Sequence, residues 1–170
     1  MTTTDTLNAD QAVRAVAVLG HPGVIRLVTE IDDHGPVARH MLSRTLPDLP
    51  LQQVRDGSVL VREHRLVRTG QRAGQPAYQL TGSGTALADV YDTAARWARA
   101  HHYPTQRADF TTRVRATLSL LAQGTVPAEA TEPARALHQW IRANRTLHAP
   151  ASPPQSHAAA PISSSGNACD

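Results

Sequence analysis

Five side chains able to read a base-pair edge fall between residues 50 and 64: Gln52, Gln53, Arg55, Val59 and Arg62. Gln pairs with adenine, Arg with guanine through a two-pronged bond, and Val can touch a thymine methyl. Arg68, Gln71, Arg72 and Gln75 follow around Gly70 and Gly74, where a turn can hold donors toward a minor groove or its phosphates. Arg39, His40 and Arg44 come just before and suit phosphate contacts. The chemistry these sets share is recognition of double-stranded DNA. Each also fits a plainer reading, as a solvated helix face, a solvated hairpin or dispersed surface charge.

Other chemistries lack their residues. The chain has no G-x-S-x-G, P-loop or G-x-G-x-x-G pattern. His101 and His102 are adjacent, so on a helix they point about 100° apart. No His/Asp/Glu cluster has ligand spacing. The one cysteine, Cys169, excludes an intrachain disulfide framework and a multi-cysteine zinc site. The expectation is a protein that is not an enzyme, with no metal and no cofactor.

Charge is distributed as a nucleic-acid binder requires. All 17 basic residues are arginine, a bias that GC-rich coding also explains, and net charge is +3. Residues 1–34 carry two Arg and five acids, whereas residues 35–80 carry seven Arg and three acids. The basic excess thus begins where the candidate readers begin. Asp56 and Glu63 lie among those readers and would repel phosphate.

The elements that must position these residues follow from apolar spacing. Asn8-x-x-Gln11 can form a capping box for a first helix, with Ala12, Val13, Val16, Ala17 and Leu19 on one side. Pro22 opens a second helix that buries Val24, Ile25, Leu27, Val28 and Ile31. Pro36 opens a third, with Val37, Met41, Leu42 and Leu46 inward. Residues 47–50 make a turn, and Pro50 starts a fourth helix to about His64. Centred on Val54, that helix buries Leu51, Ser58 and Val61 and turns Gln52, Arg55, Asp56, Val59, Arg62 and Glu63 outward. Residues 66–68 and 77–80 read as strands around a 70–76 turn. Thr81 or Ser83 then caps a long helix to about His102, striped by Leu87, Val90, Tyr91, Ala94, Trp97 and Ala98. Phe110, Val114, Leu118 and Leu121 mark another helix, and residues 131–147 a last one that buries Ala134, Leu137 and Ile141.

The predicted architecture is mainly α with a small β-hairpin wing: a winged helix-turn-helix with extra C-terminal helices. Residues 8–103 form the DNA-binding and dimerisation domain, 104–148 a helical extension, and 149–170 a disordered Ala/Pro/Ser tail. No apolar run reaches the roughly 18 residues of a membrane span and residues 1–10 lack a signal-peptide pattern, so a cytoplasmic protein is expected.

Gly35-Pro36, Leu46-Pro47-x-Leu49, Leu66-Val67 and Tyr78-x-Leu80-Thr81-x-x-Gly84-x-x-Leu87 carry a resemblance to the HxlR-type regulators, bacterial winged-helix proteins with MarR- and PadR-like architecture. The resemblance covers roughly residues 10–100. It implies a homodimeric transcriptional regulator, by family habit a repressor, that reads a pseudo-palindromic site. The first helix and the 87–97 stripe, richer in apolar residues than a small domain can bury, would supply the dimer contact. The chain departs from the family pattern at His21-Pro22-Gly23, where a Lys-Trp pair is usual, and at Gly57-Ser58, where a helix former and a leucine are common. Gly57 costs roughly 1 kcal/mol against alanine in a helix, which predicts a marginal reading helix. No N-terminal cysteine is present, so redox sensing does not carry over. Two other functions remain open. One is an adaptor that binds protein rather than DNA. The other is a helical regulator whose C-terminal helices enclose a small-molecule effector.

Overall fold

His21 and Pro22 show how this chain starts its helices. The His21 backbone is extended, its ring accepts a hydrogen bond from the Gly23 amide, and Pro22 occupies the first turn, where it forfeits no hydrogen bond. Helix α2 (Pro22–His34) follows and stops at Gly35, whose φ of 80° returns an amide to the Ile31 carbonyl. A computed structural model describes residues 9–124 and 126–145. The proposed Asn8 cap, Leu147 and the 149–170 tail lie outside the described residues.

The described chain is mainly helical with a three-stranded antiparallel sheet. Helix α1 (Ala9–Leu19) precedes α2. Strand β1 (Val37–Ala38) leads through a 3-10 turn (Arg39–Met41) into a four-residue helix α3 (Leu42–Thr45). Helix α4 (Leu51–Glu63) is followed by strands β2 (Val67–Arg72) and β3 (Gln75–Leu80). Helices α5 (Gly82–Ala100), α6 (Phe110–Ala122) and α7 (Thr131–Ala143) complete the chain. The sheet order is β1-β3-β2, with Val37 opposite Tyr78 and Val67 opposite Leu80. Among the described residues, no single helix is long and apolar enough to cross a membrane.

Four expectations need correction. Pro36 does not open a helix, because Val37 and Ala38 satisfy their backbone against Tyr78 and Ala77 instead, and Met41 is only half-buried. The hairpin strands run further than expected, into a two-residue turn at Ala73 and Gly74. Both residues have positive φ, at 51° and 76°, the geometry that matches strand twist. Helix α1 buries Ala12, Ala15 and Leu19 while Val13 and Ala17 face outward, so its inward side is rotated from the expected one. Finally, α4 buries Val54, Gly57 and Val61, leaving Leu51 exposed and Ser58 half-exposed.

The core is centred on α2 and α5. Ile25 and Val28 from α2, Leu87 and Tyr91 from α5, Leu118 from α6, and Leu137 and Ile141 from α7 belong to one buried cluster. The Tyr91 hydroxyl donates to the Leu19 carbonyl at 2.7 Å, joining α5 to the end of α1, and burial raises its phenol well above the usual range. The Trp140 indole donates to the Ser83 carbonyl at 2.9 Å, and the Ser83 hydroxyl to the Asn144 amide oxygen at 2.6 Å. These two bonds fasten α7 to the start of α5. Leu87, Val90, Tyr91, Ala94 and Ala98 of the α5 stripe are buried, with α2, α6 and α7 packed against α5, and Trp97 is partly buried.

Candidate nucleic-acid interface

Helix α4 is held against α2 by contact between backbones. A Cβ on Gly57 would lie 2.5–2.9 Å from the main-chain atoms of Gly23. A Cβ on Gly23 would lie 2.1 Å from the Gln53 carbonyl oxygen. Neither position admits a side chain without a shift, so Gly57 is what allows the crossing and is no defect in the helix. Ahead of the crossing, the Arg26 guanidinium grips Asp48 in the 47–50 turn with a fork, Nε to Oδ2 at 2.8 Å and Nη2 to Oδ1 at 3.1 Å. That bond holds the Asp48 carboxyl below the ordinary carboxylate range.

The seam fixes which side of α4 faces solvent. Gln52, Arg55, Val59 and Arg62 all point outward. The Gln52 amide donates to Asp56 at 2.8 Å, and Arg62 Nε to the Ser58 carbonyl at 3.2 Å. Gln53 is separated from the others: it is half-buried and lines a cleft of about 670 Å³ with Pro22, Arg26, Asp48, Phe110 and Arg115. Leu51, assigned inward by sequence, is 52% exposed on the first turn. The signal that could have placed it was Gly57. Counting that glycine as buried, in place of Leu51 and Ser58, moves the centre of the inward face away from Leu51 by about 50°, roughly half of one residue's rotation.

The hairpin stands beside α4. Arg68, Gln71, Arg72 and Gln75 are exposed on β2 and β3. Arg72 donates to the Pro36 carbonyl, tying the hairpin tip to the chain just before β1. The Arg39 guanidinium lies over the Tyr78 ring, 5.5 Å from its centroid. Arg39, His40, Ser58, Gln75 and Tyr78 line one open groove of about 820 Å³, so the phosphate candidates and the hairpin meet on α4's flank. Arg44 is exposed at the end of α3, outside that groove.

The hairpin is anchored at its other end by the Leu80-Thr81-x-x-Gly84 motif. Thr81 Oγ1 donates to the Arg65 carbonyl at 2.7 Å and accepts from the Gly84 amide, capping α5. A Cβ on Gly84 would lie 2.1 Å from the Leu66 carbonyl oxygen. The motif thus closes α4, β2, β3 and α5 around one point.

The geometry defines a mainly helical protein that carries an outward polar helix beside a basic antiparallel hairpin. Compared with known proteins, the chain matches no family model, no curated protein and no solved structure.

Proposed function

We propose that this chain is a sequence-specific DNA-binding transcriptional regulator of the winged helix-turn-helix type, diverged from the HxlR-type pattern. Helix α4 enters the major groove, with Gln52, Arg55, Val59 and Arg62 toward base edges. The β2–β3 hairpin is the wing, and Arg39, His40, Arg44 and Arg68 contact phosphates. A homodimer acting as a repressor would present two such helices to neighbouring grooves. The observation that carries this reading is the shared side of α4 and the hairpin, where the outward arc of the helix and the exposed Arg and Gln residues flank one groove. The adaptor alternative needs a continuous apolar patch around Val59. Leu60 packs against the core instead, which favours DNA. A small-molecule effector has room in the cleft beside Gln53, where it would touch the first turns of the reading helix.

Titrating labelled DNA fragments over a salt series tests the proposal. Four phosphate contacts on each protomer, eight in a dimer, imply that affinity falls about 10⁴-fold between 50 and 200 mM salt. Binding that is absent at low salt, or indifferent to salt, would sink the reading. Arg55→Ala should flatten discrimination between sequences. Arg44→Ala should weaken all sequences alike and lower the salt slope by about one for each protomer.

A further inference from the structure

Leu51 and Val59 are two of the four large apolar side chains exposed among the described residues, and both lie on the outward side of α4. They do not form a patch. Eight residues of helix separate them by about 12 Å, and Arg55 stands midway. A protein partner would need contiguous apolar area, which this spacing denies. An apolar side chain set singly among Gln and Arg donors instead matches the edge of a DNA duplex. There the thymine 5-methyl is the one apolar group among donors and acceptors in the major groove. Position on the helix separates the two residues. Leu51 opens the first turn, next to Gln52, and first-turn residues of a helix entering the groove reach the bases most directly. The arginines on this side of α4, Arg55 and Arg62, carry positive charge that complements the negative potential of a duplex groove.

We infer that Leu51 is a specificity-determining residue that packs on a thymine methyl; the inference rests on the DNA-reading role proposed for α4. The interaction needs no hydrogen bond. The leucine buries apolar surface that the free protein leaves in water, and cytosine, which lacks the methyl, offers no equivalent surface.

The test uses the full chain and a site selected from random-sequence duplexes. Each thymine is replaced in turn by deoxyuridine, which removes the methyl and leaves pairing unchanged. The wild-type chain should lose about fourfold in affinity at one position of each half-site, assigned to Leu51. Leu51→Ala should erase that penalty and leave any penalty due to Val59 in place, whereas Leu51→Met should keep it. Circular dichroism and thermal unfolding should show Leu51→Ala folded as the wild type, because the side chain is already half in water. A uracil penalty that is the same in wild type and Leu51→Ala at every position overturns the assignment of Leu51 alone. Failure to select any site overturns the DNA reading and Leu51's role with it.

Discussion

The two halves of this molecule are held together differently. The α5–α6–α7 side is fixed by burial: Leu87, Tyr91, Leu118, Leu137 and Ile141 are each at most 1% exposed. The α4–hairpin side buries Val54, Val61, Leu66, Val67 and Tyr78 in the same cluster, but it has further ties. It is placed by a backbone seam at Gly23 and Gly57, the Arg26–Asp48 fork, the Arg72–Pro36 bond and the Thr81 cap. A surface that must show polar side chains to a ligand cannot also spend them on a core. Close backbone approach and a few directional bonds supply position in addition to that burial. Both sides share one buried cluster, and the α4–hairpin side adds close backbone approach to it.

The largest test of that contrast is Gly57→Ala. In an ordinary exposed helix this change stabilises by about 1 kcal/mol. Here the new methyl meets Gly23 main-chain atoms that cannot rotate away. We expect a loss of about 2 kcal/mol from overpacking, measured by urea denaturation. A gain in stability would show that the seam is loose and that the polar side is positioned some other way. On the proposed DNA-reading role, affinity for DNA should fall too, since α4 must shift to admit the methyl.

Legibility in the sequence followed the same division. The inward residues of α2 and the α5 stripe were readable because apolar spacing reports burial directly. Helix α4 was bounded within about a residue at each end, and its outward residues were correctly assigned. Its inward side was misread because a glycine carries no hydrophobic signal even when its backbone is in close contact with a neighbour. Both departures from the HxlR-type pattern, at residues 21–23 and 57–58, meet at the α2–α4 crossing. Two exceptions in sequence are thus one feature in space. The start of the third helix failed for another reason. Residues 37–38 pair with a strand some forty residues later, and local spacing does not report that partner.

His21 offers a milder probe, because it caps α2 at the seam and can titrate. Burial lowers its pKa below 6.5 as the largest effect; Asp56 of α4 opposes that shift and Arg115 of α6 adds to it. The folded chain therefore resists protonating a ring that the unfolded chain protonates readily. The stability this contributes is complete above about pH 6.5 and is lost as pH falls through the lower folded value. A protonated ring also cannot accept the Gly23 amide. Denaturant midpoints between pH 7.5 and 5.5 should fall less for His21→Asn, a cap that does not titrate, than for the wild type. Equal slopes would remove His21 from the balance. The pH range separates this group from Asp48, whose lowered pKa matters only below about pH 4.

The smallest expected effect is at the hairpin tip, where Ala73 holds a φ of 51°. That conformation is unfavourable for a residue with a Cβ and no local hydrogen bond, whereas asparagine tolerates it, and Asn-Gly is the preferred pair for this turn. Ala73→Asn should stabilise by about 0.5 kcal/mol. The gain should be concentrated in slower amide exchange across β2 and β3, with little change in α5 to α7. If the turn is what limits the polar side, that local gain should appear even though no contact with the core changes. Uniform slowing across the whole chain would mean instead that the hairpin and the helical core open together, and the division between the two halves would not hold.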